Sequence, residues 1–279
     1  MTVGRSLLFE EKTLEKDGSP IRYRITSDHP GPWLIFLHGA GADHRMFDEQ
    51  VRVLDDSYGV MLWDARGHGQ SRPIGDAFSI GLVVDDLLAI MEGEGIEKAT
   101  FMGQSMGGNL AQEVAFYHQE RVENLVLIDC TCNTMKLTAL EQLVIWMTPL
   151  LIALYPGDAL TRQSAHASAL KPEVRRYLLD TFQTIGPKTF KRVFLELTAC
   201  LHFEKDYRID KPLLLVCGES DNLGNIKKIA PVWARLEPKC EFHWIPEAGH
   251  CSNQDNPEAF NALFLEFLRR RYPDAVDRS

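Results

Sequence analysis

Hydrophobic and polar positions fall along this chain in two rhythms. Leu7 to Leu14 and Ile21 to Thr26 alternate apolar with polar residues, and Asp17-Gly18-Ser19-Pro20 lies between them. A period of two marks strands with one buried face, and the intervening turn residues make the pair an antiparallel hairpin. Later runs are nearly unbroken in apolar residues: Trp33 to Leu37, Val60 to Trp63, Ala99 to Met102, Leu125 to Ile128 and Leu213 to Val216. Short continuous runs of this kind are the pattern of parallel strands covered on both faces. Glu241 to Ile245 is read as the last strand.

Between these runs the apolar residues recur at helical spacing. Phe47 to Leu54 predicts one helix. Ser79 to Glu94 predicts another, with Leu82, Val83, Leu87, Leu88 and Met91 on one side. Gly108 to His118 follows the run Ala99 to Met102. Near the end, Asn256 is placed as a helix cap with Pro257 at the first helical position, ahead of an apolar face of Phe260, Leu263, Phe264 and Phe267. Strands alternating with helices predict an α/β fold with a doubly wound, mostly parallel sheet. The rhythm stops between Thr131 and Asp206, where helical patterns punctuated by Pro149, Pro156, Pro172 and Pro187 replace strands. Residues 1–130 and 207–279 therefore read as one core, and 131–206 as a helical insertion rather than an independent domain.

Composition narrows the classes. With 279 residues, 45% of them hydrophobic, the chain can bury a core without disulfides or a structural metal. Its 39 acidic and 30 basic residues give a net charge of -9, which argues against a nucleic-acid partner, because such binding rests on phosphate neutralisation. Arg269, Arg270 and Arg271 fall at a helix end, where cations complement the dipole. The cysteines at 130, 132, 200, 217, 240 and 251 are scattered. Cys130 and Cys132 have no second pair nearby to complete a zinc site, so buried free thiols and no metal are expected. Met1 to Lys12 lacks the apolar core of a secretory signal. Leu137 to Leu154 is interrupted by Glu141, Gln142, Thr148 and Pro149, and reads as an amphipathic or buried helix rather than a membrane span. A cytoplasmic location is the expectation, and the oligomeric state stays open.

The strongest chemical signal is Gly103-Gln104-Ser105-Met106-Gly107, after a predicted strand and before a predicted helix. A serine between glycines in that context sits on a sharp turn that exposes its hydroxyl, a nucleophile elbow. A serine hydroxyl needs a base. Of the nine histidines, His250 in Glu247-Ala248-Gly249-His250-Cys251 follows the last strand, on the edge where a doubly wound sheet builds its site. His38 and His68 also end near strands, and each reads as a structural hydrogen-bonding group in a glycine turn. A carboxylate must orient the base. Asp221, in Gly218-Glu219-Ser220-Asp221, follows the strand before the one leading to His250; Asp129, at another strand end, and Glu219 are the alternatives. An oxyanion needs donors, and the loop His38-Gly39-Ala40-Gly41-Ala42 offers the Ala40 amide, with the Met106 amide as the second.

Together with Asp64-Ala65-Arg66-Gly67-His68-Gly69-Gln70-Ser71, these motifs resemble the α/β-hydrolase superfamily. The closest likeness is to its capped branch of small esterases, enol-lactonases, cofactor-free haloperoxidases and carbon–carbon bond hydrolases. The resemblance runs over nearly the whole chain and is weakest from Thr131 to Asp206. It implies an eight-stranded, mostly parallel sheet, a helical cap formed by 131–206, and a triad of Ser105, Asp221 and His250. It also implies a largely structural role for Asp64 to Ser71 and no cofactor. Serine at the elbow argues against epoxide hydrolases and dehalogenases of the fold, which carry aspartate there. The expected activity is hydrolysis of a small, mostly apolar ester or lactone. The alternatives are carbon–carbon bond hydrolysis with the same triad, and a ligand receptor without catalysis. The insertion residues Leu143, Ile145, Trp146, Met147, Leu150, Leu151, Leu154 and Tyr155 are expected to divide between packing on the body and lining an apolar pocket. Arg162, Lys171, Arg175 and Arg176 are the cations available to it.

Overall fold

The computed structural model describes residues 7–276 apart from Asp28 and Pro30. Half of the N-terminal stretch read as lacking a secretory core, residues 1–6, lies outside the described residues.

Eight strands form one sheet: β1 (Phe9–Lys16), β2 (Ser19–Thr26), β3 (Trp33–Leu37), β4 (Gly59–Trp63), β5 (Ala99–Gln104), β6 (Val122–Ile128), β7 (Leu213–Gly218) and β8 (Cys240–Ile245). Their order is β1-β2-β4-β3-β5-β6-β7-β8. The alternating pair β1 and β2 is antiparallel, with Leu14 opposite Ile21, and β2 runs antiparallel to β4. The unbroken apolar runs are the parallel strands, as the pattern predicted.

The helices are α1 (Asp48–Val51), α2 (Ile80–Gly93), α3 (Met106–Tyr117), α4 (Ala139–Leu154), α5 (Gly157–Ser168), α6 (Pro172–Ile185), α7 (Pro187–Glu196), α8 (Ile226–Leu236), α9 (Ser252–Asp255), α10 (Pro257–Arg271) and α11 (Pro273–Val276). Side chains leave each strand alternately to the two faces. Ile35, Leu37, Phe101 and Leu127 meet Leu87 of α2, Leu110 of α3 and Trp233 of α8. Leu34, Phe36, Met102 and Val126 meet Phe260, Phe264 and Phe267 of α10. Those three phenylalanines are fully buried, each worth on the order of 2–3 kcal/mol. The Asn256 side chain caps α10 by accepting the Ala259 amide at 3.2 Å. The segment Phe47 to Leu54 is helical only over Asp48–Val51, behind a 3-10 turn at His44–Phe47.

All of α4 to α7 lie between β6 and β7. Val174, Leu178, Phe182 and Phe190 join the core on the α10 side of the sheet, so the insertion packs on the body. α4 is different: Ile152 is its one buried residue. The expectation that its apolar residues divide between packing and pocket is corrected here, because Leu143, Trp146, Met147, Leu150, Leu151 and Leu154 are exposed. Long apolar side chains at helical spacing do not specify which face is covered.

Asp64 to Ser71 forms a buried polar turn. Asp64 accepts the His44 amide and the Gln70 amide, both at 2.8 Å, and meets the His44 ring. Burial pushes the Asp64 carboxyl up, but these partners prevail and hold it at about 2. Arg66 makes a bidentate pair with Asp86 of α2, both distances 2.6 Å, with both side chains fully buried.

Candidate active site

Ser105 sits between β5 and α3 with φ 51° and ψ -114°, a left-handed conformation that a non-glycine residue adopts only when its surroundings force it. Two close approaches make the turn this sharp. A β-carbon on Gly103 would lie 2.2 Å from Gly107 O, and one on Gly107 would lie 1.8 Å from Leu37 O. Glycine at both positions lets β5, α3 and β3 converge, and the serine hydroxyl is lifted from the sheet edge.

His250 lies in the loop after β8. Its Nε2 is 2.9 Å from Ser105 Oγ and its Nδ1 is 3.0 Å from Asp221 Oδ2. Asp221, in the loop after β7, is buried, and its other oxygen accepts the Leu223 amide at 2.9 Å. Burial pulls the His250 ring toward the neutral form, but the Asp221 carboxylate beside Nδ1, with Asp129 further off, outweighs it and raises the pKa above the ordinary value.

The two alternative acids are not on the histidine. Asp129 Oδ1 accepts the Gly218 amide at 2.7 Å and Oδ2 the Ser252 amide at 2.8 Å. It ties the end of β7 to the residues just past His250, from a backbone with φ 46°. Burial first, then the nearby Asp221 charge, push its carboxyl up. Glu219 is exposed, and its backbone amide completes a bond to Ile245 O. Asp129, Cys217 and Asp221 each bring one ligand atom within 4.8 Å of the others. The carboxylate oxygens already hold amides or the imidazole, and burial keeps the Cys217 thiol protonated, so the group is poorly made for an ion.

Ala40 lines the cavity over Ser105. Met106 opens α3, where a helix leaves its first amides without intrahelical acceptors. Neither amide donates to a loop carbonyl among the described residues. His38 is structural, as its turn implied: Nδ1 is paired with Gly39 O at 2.8 Å and Nε2 accepts the Ala65 amide at 3.0 Å. His68 is buried, and burial pushes its pKa down to about 3.

Two supporting residues escaped sequence reasoning. Gln104 Nε2 donates to His250 O at 2.6 Å, bridging the elbow to the histidine loop. Asp255 accepts the Gly249 amide at 2.8 Å together with the Leu170 and Lys171 amides, fastening the α5–α6 connection beside His250. The elbow pattern marks Gln104's position, but the direction of its side chain is not written in it. Nothing local marks Asp255.

A cavity of about 340 Å³ opens over Ser105 and His250. Its apolar wall comes from Leu178 and Phe182 of α6 and Phe190 and Phe194 of α7, with Met46 and Leu201 beside them, and none of it from α4. Asn109, Thr131, Ser164, Ser168, Thr198 and Asn225 are among its polar spots. No Asp, Glu, Lys or Arg lines it among the described residues, so Arg162, Lys171, Arg175 and Arg176 stand outside.

A family model for the alpha/beta hydrolase fold matches residues 32–257. The 3-oxoadipate enol-lactonase 1 of Acinetobacter baylyi is 25% identical over 273 residues, spanning 91% of this chain and 95% of that protein. A thermophilic esterase from Thermogutta terrifontis superposes with a TM-score of 0.77 at 22% identity, over 95% of this chain and 99% of its own. A meta-cleavage product hydrolase from Pseudomonas fluorescens IP01 gives 0.72 at 21%, over 93% and 97%. The sheet order, the elbow and the span of the family match have one conclusion: this chain belongs to the α/β-hydrolase fold family.

Proposed function

We propose that the protein is a serine hydrolase that cleaves small, mostly apolar carboxylic esters or lactones. Ser105 is the nucleophile, His250 the general base and Asp221 the carboxylate that orients it. The observation that carries this reading is the continuous path from Ser105 Oγ through both ring nitrogens of His250 to Asp221, at 2.9 and 3.0 Å. His250 takes the Ser105 proton as the hydroxyl attacks the carbonyl carbon. The oxyanion forms against the Ala40 and Met106 amides, at the positive end of α3. Asp221 stabilises the imidazolium and fixes its tautomer. The imidazolium then protonates the departing alkoxide, leaving an acyl-serine. Water, deprotonated by His250, releases the acid and restores the serine.

Residues 131–206 act in this reading as a cap whose α6 and α7 close the acyl site. The uncharged lining favours neutral substrates, since a carboxylate entering it would lose hydration without gaining a cation. The same feature disfavours carbon–carbon bond hydrolysis of an acidic substrate, which calls for an arginine in the pocket. An enol-lactonase relative and an esterase of the same fold are in keeping with the bond type proposed.

The test is intact-mass labelling with a fluorophosphonate on wild type and Ser105→Ala. A single adduct on wild type, absent from the variant, is expected. No adduct on folded wild type sinks the activated-serine assignment and favours a ligand receptor.

A further inference from the structure

α4 leaves most of its apolar surface uncovered. The side chains turned toward the body are Glu141, Ile145, Thr148 and Ile152, a narrow mixed stripe at helical spacing of which Ile152 is buried. The outward arc carries Leu140, Leu143, Val144, Trp146, Leu150 and Leu154, with Trp146 78%, Leu154 75% and Leu140 69% exposed. At 100° per residue these positions span roughly half the helix circumference. A surface helix of a globular protein ordinarily does the reverse. The one charged side chain in α4, Glu141, is occupied by Asn225 and by its Thr138 cap, so the outward arc carries no charge.

We propose that α4 seats this protein on an anionic phospholipid surface, lying in the plane of the interface. Three features select this occupant. First, no helix among the described residues is long and apolar enough to cross a membrane, and α4 has 16 residues, so it lies in the interface rather than spanning it. Second, cations stand at both ends of the arc. Exposed Lys136 precedes α4, and Lys191 Nζ donates to Tyr155 O at the far end, with exposed Lys188 one turn earlier on α7. Phosphate headgroups flanking an immersed apolar stripe meet those cations. Third, a second copy of the chain fits badly. Two-fold pairing through α4, parallel or antiparallel, brings lysines against lysines.

This inference stands apart from the assignment of the serine. The experiment is cosedimentation of the full chain with vesicles of phosphatidylcholine containing phosphatidylglycerol, against vesicles of phosphatidylcholine alone. Wild type and Ser105→Ala are expected to bind the anionic vesicles equally. The Trp146→Ser/Leu150→Ser double variant is expected to lose at least about tenfold in partitioning. Lys188→Ala/Lys191→Ala is expected to lose about fivefold per charge on anionic vesicles only. Trp146 and Leu150 are largely exposed and none of the four residues lines the cavity, so melting temperature and hydrolysis of a short soluble ester should stay close to wild-type values. Absence of vesicle binding by wild type overturns the proposal. So does a concentration-dependent dimer in sedimentation velocity that Trp146→Ser/Leu150→Ser abolishes, which assigns the face to a second copy.

Discussion

The Nδ1 atom of His250 lies 3.0 Å from Asp221 Oδ2, between two side chains almost wholly withdrawn from water. Burial alone pulls the imidazole pKa below 6.5; the carboxylate reverses this, and the net direction is upward. The base works in its neutral form. kcat/KM for a neutral ester should therefore rise with pH through an apparent pKa above 6.5 and then level off. Asp221→Asn removes the counter-charge, so the limb should move to lower pH while the plateau falls by roughly 10³–10⁴. A pH–rate profile of both proteins checks this. An unshifted limb in the variant removes Asp221 from the role.

Asp129 offers the contrast. Its two oxygens accept the amides of Gly218 and Ser252, and neither reaches the imidazole. Asn at this position keeps one acceptor and turns an amide group against the other N–H. Asp129→Asn should therefore cost about 1–3 kcal/mol of stability, read as a lower melting temperature. Its kcat/KM should fall far less than that of Asp221→Asn. The reverse ranking of the two variants on activity would hand the orienting role to Asp129.

The sequence carried more of this site than of its surroundings. Continuous apolar runs marked β3 to β7 because strands buried on both faces leave no room for polar alternation, and β5 ran on into Ser105. Ser105, Asp221 and His250 each follow a strand end, but so does Asp129, and only the folded chain shows which carboxylate meets His250. What stayed hidden depends on distant chain segments. Asp255 acts on Leu170 and Lys171, 85 and 84 residues away. The helix α8 interrupts its own pattern with Pro231 and was not foreseen. The apolar residues from Leu143 to Tyr155 predict a division between packing and pocket, yet α6 and α7 line the cavity and α4 does not. An apolar helix announces that it needs a cover without saying whether protein or something else provides it.

Arg66 and Asp86 test the structural reading of the Asp64 to Ser71 turn. Both are fully buried, and Arg66 also donates to Ala77 O at 3.2 Å. Removing the Asp86 charge leaves the buried guanidinium with only the more distant Asp17 carboxylate, at 3.9 Å. Asp86→Asn should lower stability by about 3–5 kcal/mol, measured by urea unfolding. Among molecules still folded, fluorophosphonate labelling of Ser105 should remain. Loss of labelling without loss of stability would place this pair in the reaction rather than in the scaffold.

Charge in the cavity decides which esters enter. Its lining has no cation, and Phe194 on α7 is partly exposed at its wall. For two esters of equal acyl length, one ending in a methyl group and one in a carboxylate, kcat/KM should favour the neutral compound by at least about 10², since the buried carboxylate has no partner. Phe194→Arg brings a guanidinium to that wall without emptying the core, because the side chain already reaches solvent. The variant should narrow the preference about tenfold, or ~1.4 kcal/mol, through a gain on the acidic ester and a loss on the neutral one. Equal rates for both esters with wild type would mean that the acyl chain does not occupy this cavity, and the wall formed by α6 and α7 would then have no part in selecting the substrate.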